Sequence, residues 1–129
     1  MKRFFLLPAL ILIPAIWGCA DKKTVHVVPA ETGKVVVAVQ ADNFSFNPAI
    51  IKAGKGDFVM LRMTNTTAME HNVTVNNPVG QKVLTIDLPA KETVEIPLQL
   101  VEAGTWEFYC DKPFHPSLGM TGRIETYQR

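Results

Sequence analysis

The sequence predicts an all-β fold, a sandwich or barrel of about eight strands, on three observations. Short runs rich in β-branched and aromatic residues recur at roughly regular spacing: Lys34 to Ala41, Phe44 to Ala53, Asp57 to Asn65, His71 to Val75, Gln81 to Leu88, Lys91 to Leu100, Thr105 to Cys110 and Thr121 to Tyr127. The stretches between them carry turn chemistry, namely Asn47-Pro48, Ala53-Gly54-Lys55-Gly56-Asp57, Asn76-Asn77-Pro78-Val79-Gly80, Pro89-Ala90 and Ala103-Gly104. Outside the apolar N-terminal stretch, no run of about ten residues or more has the helical period of 3.6. There is no internal repeat and no low-complexity block.

The N-terminal stretch has the anatomy of an export signal. Lys2 and Arg3 precede an apolar run from Phe4 to Trp17, which ends in Gly18 and Cys19. The alternative, a membrane-spanning helix, needs roughly 20 residues, and this run is shorter and broken by Pro8 and Pro14. Ile16-Trp17-Gly18-Cys19 resembles a bacterial lipobox, although Trp17 is bulkier than the residues usual there. That resemblance makes residues 1–18 a lipoprotein signal peptide and Cys19 the lipid-bearing residue. Several acyl chains on one cysteine anchor stably, at about 0.8 kcal/mol per buried methylene. Residues 19–33 are polar and aperiodic apart from Val25-His26-Val27-Val28, and are expected to form a flexible tether. Residues 34–129 are expected to form the domain, which the anchor would hold outside the cytoplasm.

Composition narrows the function. The chain has 129 residues, 13 Lys+Arg against 12 Asp+Glu, and 47% hydrophobic residues. Scattered, nearly balanced charge leaves no basic stripe for nucleic acid, and the apolar fraction is too high for a disordered chain. The length suits one compact core.

The two cysteines, Cys19 and Cys110, are then informative. With Cys19 committed to lipid, Cys110 is a lone exported thiol. The ordinary alternatives are an inert buried thiol or a Cys19–Cys110 disulfide, and lipidation excludes the second. Strand alternation over Thr105 to Cys110 puts Trp106, Phe108 and Cys110 on the core face and Glu107 and Tyr109 on the other. Beyond it runs Cys110-Asp111-Lys112-Pro113-Phe114-His115-Pro116-Ser117-Leu118-Gly119-Met120. Pro113, Pro116 and Gly119 prevent a regular helix, so this is a loop able to turn Cys110, His115 and Met120 toward one point. Thiolate, imidazole and thioether are the donors copper selects, and a second imidazole would complete an electron-transfer copper site. His26 lies in the tether, which leaves His71, at the start of a strand and followed by Asn72.

These residues resemble those of the cupredoxins, the blue-copper family that includes azurin, plastocyanin and rusticyanin. The resemblance runs from about Val35 to Tyr127 and takes in Phe44-Ser45-Phe46-Asn47-Pro48 and the Lys52 to Asp57 turn. It implies a Greek-key sandwich and one copper ion held by His71, Cys110, His115 and Met120, with Asn72 bracing the ligand loop. The equal spacing on either side of His115 resembles the rusticyanin-type arrangement. Phe114 departs from the pattern, since related loops often carry Gly or Pro before the histidine.

The implied function is single-electron transfer by a monomer, with redox proteins such as a cytochrome c or a terminal oxidase as partners. Pro113, Phe114, Pro116, Leu118 and Gly119 are expected to form the apolar apron on which a partner docks. Trp106 and Phe108 are expected in the core, and Met60, Met63 and Met69 in packing or surface roles rather than a second copper site. Lys52, Lys55, Glu92 and Glu95 are expected on solvated faces. A self-contained copper enzyme would need more histidines than the chain has, so no enzymatic activity is expected. The rival reading is a copper carrier or chaperone that delivers the metal to an oxidase. Such sites favour thioether and imidazole without thiolate, so Cys110 argues for electron transfer.

Overall fold

The computed structural model describes residues 24–26 and 34–128. Ten strands form among them: β1 (Thr24–His26), β2 (Lys34–Asp42), β3 (Ser45–Asn47), β4 (Ile50–Gly54), β5 (Phe58–Asn65), β6 (His71–Asn76), β7 (Lys82–Leu88), β8 (Thr93–Gln99), β9 (Gly104–Tyr109) and β10 (Thr121–Tyr127). They make two sheets, one of six strands in the order β1-β4-β10-β9-β6-β7 and one of four in the order β3-β2-β5-β8. This is the all-β sandwich expected.

Two features raise the strand count above the expected eight. The run from Phe44 to Ala53 is two strands rather than one: β3 pairs with β2 in the smaller sheet, and β4 lies between β1 and β10 in the larger. Pro48 between them has no N–H for a ladder, so the chain leaves one sheet there and enters the other. The second addition is β1, which falls inside the segment expected as tether and pairs parallel with β4. Residues 1–18, expected to be a signal peptide, and Cys19 lie outside the described residues.

Period-two alternation builds the core. Val37, Val39 and Ala41 of β2, Val59, Leu61 and Met63 of β5, and Ile96 and Leu98 of β8 face inward from the smaller sheet. Ile51, Val73, Val75, Trp106, Phe108 and Ile124 face them from the larger. Each large side chain buried in this way contributes about 1.5–3 kcal/mol. Phe46 of β3 meets Phe108 of β9 edge-on, ring centroids 5.3 Å apart, and so joins the two sheets. Pro97 sits in β8, an edge strand, where its missing donor costs no central ladder bond.

The register decides what stands at one end of the sandwich. β6 and β9 are antiparallel neighbours, with Thr74 opposite Tyr109 and Asn76 opposite Glu107. The start of β6 therefore lies beside the end of β9. β10 returns against β9 with Thr121 opposite Tyr109, so the intervening loop leaves from and returns to the same spot.

Candidate metal centre

Three of the four potential ligands stand where a strand begins or ends. His71 opens β6, Cys110 follows β9, and Met120 precedes β10. The 110–120 loop is closed by its own backbone bonds, with Cys110 N–H donating to Met120 O at 3.1 Å and Met120 N–H to His115 O at 3.0 Å. Inside it, His115 N–H donates to Lys112 O, Leu118 N–H to Phe114 O and Gly119 N–H to Pro116 O. These turns bring His115 back over Cys110.

The structure gathers three of the four residues by their side-chain donor atoms. His71 Nδ1 lies 3.3 Å from His115 Nδ1, and Cys110 Sγ lies 3.3 Å from the same nitrogen. All three donor atoms fall within 4.8 Å of one another. Metal–ligand bonds of about 2.0 Å to nitrogen and about 2.3 Å to sulfur reach a common point from atoms so spaced, and the donor set is the one copper prefers. Met120 is fully buried and tied by its backbone to both Cys110 and His115. Cys110 is a free thiol, buried as the alternation of β9 requires.

Burial grades the three donors. His71 and Cys110 are inaccessible, while His115 is half-buried. Desolvation holds the His71 pKa below the usual histidine value, with His115 and Lys112 pushing the same way and Asp42 opposing. A neutral imidazole, the form that can offer a lone pair, is thereby favoured.

Asn72 braces the loop. Its Oδ1 accepts from Asp111 N–H at 2.9 Å, and its Nδ2 donates to the Asp111 carboxylate. Thr74 Oγ donates to the other oxygen of that carboxylate at 3.0 Å. These bonds, the one from Asn72 foremost, hold the Asp111 carboxyl below the usual aspartate range despite the opposing effect of burial. Lys112 pairs with Glu70 at 2.6 Å, a second tie between the loop and the approach to β6.

Sequence reasoning passed over Asp111, Thr74 and Phe44. Asp111 could be suspected from its place beside Cys110, but its partners on β6 belong to the register. Phe44 lies in the two-residue turn from β2 to β3, and its ring meets that of His115 edge-on at 5.0 Å. Nothing local to Asn43-Phe44 points there. The expected apron is exposed: Phe114 at 78%, Leu118 at 56%, with Pro113 and Gly119 open and Pro116 half-buried around His115.

Comparison with known proteins agrees with this architecture. The profile of a family described as copper binding proteins, plastocyanin/azurin family, matches residues 33–126. No curated protein matches the sequence. Auracyanin A, a "blue" copper protein from Chloroflexus aurantiacus, superposes with a TM-score of 0.64 at 19% identity, covering 73% of this chain and 99% of its own. The dithionite-reduced auracyanin of Roseiflexus castenholzii gives 0.63 at 16% identity, covering 71% and 96%. The metal-binding domain of the Streptococcus pneumoniae D39 Cu(I)-exporting P-type ATPase, with Cu(I), gives 0.64 at 18%, covering 82% and 97%. At these identities the likeness is one of fold.

Proposed function

Because the chain belongs to the plastocyanin/azurin family of copper-binding proteins, the cupredoxins, we propose that it is a mononuclear blue-copper electron carrier working outside the cytoplasm. The observation that carries the reading is the convergence of one thiol and two imidazoles, from three separate places in the sequence, on one buried point. His71, Cys110 and His115 would hold the ion in this reading, with Met120 as a further, weaker thioether donor. Bound there, copper supplies a one-electron couple.

The chain's part is to hold the donors still and dry. His71 and Cys110 are shut off from solvent, and the loop that carries His115 is bonded at both ends to β9 and β10. Asn72 and Asp111 fix the backbone next to Cys110, which keeps the sulfur in place whichever oxidation state is present. His115 is the one donor of the three with open surface, so a partner meets its imidazole first. Pro113, Phe114, Pro116, Leu118 and Gly119 surround that edge as the docking apron. The partners in this reading are redox proteins such as a cytochrome c or a terminal oxidase, met by a monomer held to a membrane through lipid on Cys19.

The rival reading, a copper carrier, draws on the similarly folded domain of a Cu(I) exporter. A buried thiolate favours electron transfer over release. The test is the visible spectrum of the purified protein with one equivalent of Cu(II), beside Cys110→Ser. An intense thiolate-to-copper band that vanishes in the variant, with repeated redox cycling and no metal loss, is the expected result. Binding of Cu(I) alone, without such a band, moves the carrier to first place.

A further inference from the structure

Three buried polar residues near the site allow a complete account of their hydrogens. Asn65 closes β5, Thr67 lies in the connection to β6 and His71 opens β6; none is more than 6% exposed. Asn65 Nδ2 lies 2.8, 3.0 and 3.1 Å from the carbonyl oxygens of Met69, Leu88 and Pro89. Carbonyls only accept, so the amide nitrogen must face them and Oδ1 must face the other way. There it accepts from Thr67 N–H at 2.9 Å.

The Thr67 hydroxyl has one hydrogen and two acceptor positions. Its oxygen lies 2.9 Å from Asn65 Oδ1 and 3.0 Å from Met69 O, both acceptors, so the hydrogen goes to one of these. Met69 N–H donates to the same oxygen at 3.2 Å. What remains on Thr67 Oγ is acceptor capacity, and His71 Nε2 lies 3.2 Å away. Two lone pairs do not bond, so Nε2 carries the hydrogen. A neutral imidazole has only one, which leaves Nδ1 bare, and Nδ1 is the atom facing His115 and Cys110.

We infer that Asn65 and Thr67 are positioning residues that select the His71 tautomer with a free Nδ1, so the ring offers its lone pair to the metal before any metal arrives. Asn65 acts at one remove, by fixing where the Thr67 hydrogen points. The inference rests on the reading of His71 as a copper ligand. It also accounts for a buried hydroxyl at Thr67, in a connection where an apolar residue would cost less to desolvate. Without the hydroxyl, Nε2–H loses its acceptor among the described residues, whereas a hydrogen on Nδ1 finds His115 Nδ1 at 3.3 Å. The ring would then keep its hydrogen on the atom the metal needs, and affinity should fall about 10–100-fold, as is usual when a partner of a metal-bound histidine is lost.

The test is long-range nitrogen–proton NMR of the histidine rings in the whole, metal-free chain, well above the ordinary histidine pKa of about 6.5, with copper affinity from competition against a Cu(I) chelator. Wild type and Thr67→Ser should show Nε2–H on His71 and equal affinity. Thr67→Val should move the hydrogen to Nδ1 and weaken copper by the factor above, with its amide spectrum otherwise that of the folded protein. Nδ1–H in the wild type overturns the inference, however any variant folds. So does a folded Thr67→Val that keeps both Nε2–H and full affinity. His71→Ala separates the premise: a thiolate band and affinity that survive it refute the ligand role of His71, while the wild-type tautomer still reports on Thr67.

Discussion

Phe114 is held at a φ of 68°, a conformation that costs a side-chain-bearing residue roughly 1–2 kcal/mol, and its ring is left in solvent. Its carbonyl accepts from Leu118 N–H and from Ser117 Oγ, which fixes the backbone, but the ring gains nothing from the core. Strain retained without burial points outward, to the docking face. Phe114→Gly is therefore expected to keep or raise stability, by up to about 1 kcal/mol, while slowing electron exchange with a redox partner. Thermal denaturation read beside stopped-flow transfer to a cytochrome c checks this; a joint fall in both would make Phe114 a structural residue. Phe44 also has a positive φ, 65°, but its strain is matched by packing on His115 and the core.

Among the elements, the β6–β9–β10 ridge carries the site. Asn72 reaches from β6 to the residue after Cys110 with both polar atoms of its side chain. Asn72→Ala leaves the Asp111 N–H and carboxylate without that partner, and the metal-free protein should lose about 1–3 kcal/mol in urea denaturation. The copper spectrum of the variant should shift as the thiolate gains freedom. A change under about 0.5 kcal/mol, the range of ordinary surface substitutions, would mean that water replaces the brace. On β10, Gly122 stands opposite Phe108, and an added Cβ would come within 2.2 Å of that ring. Gly122→Ala should cost about 1–3 kcal/mol by overpacking, measured the same way, because Phe108 is fully buried against Phe46 and cannot yield freely.

For the molecule as a whole, metal and fold are linked. A ligand that binds only the folded state stabilises it by about 2.7 kcal/mol at a free concentration one hundred times its Kd. Adding copper should raise the thermal midpoint of the wild type, and Cys110→Ser should lose most of that rise; equal rises would place the binding elsewhere. Charges remote from the loop form exposed pairs such as Arg62–Glu95 at 2.8 Å and Lys52–Glu125 at 3.9 Å. Such pairs contribute about 0–1 kcal/mol. Lys52→Ala and Glu95→Ala should leave partner transfer rates within about twofold if docking is confined to the apron. A salt-dependent loss in either variant would widen the docking face.

Much of this was legible in the one-dimensional pattern, because strand alternation and donor chemistry are local properties. The burial of Trp106, Phe108 and Cys110 followed from period two, and the Cys110, His115 and Met120 spacing pointed to a soft-metal loop whatever lay around it. Turn residues placed seven of the strands to within two residues at either end, from β2 to β10. Pro48 was visible, yet whether it bends a strand or passes it to another sheet depends on which neighbours the two halves find. The same limit applied to the site. The convergence of His71 on Cys110, the Asp111 bonds to Asn72 and Thr74, the Phe44 ring on His115 and the Thr67 hydroxyl on His71 Nε2 join residues brought together by register or by the turning of a loop. A sequence specifies which groups can donate, accept or ligate. Which of them meet is decided by how strands far apart in the chain pair and pack, since hydrogen bonds and coordination act only over a few ångströms.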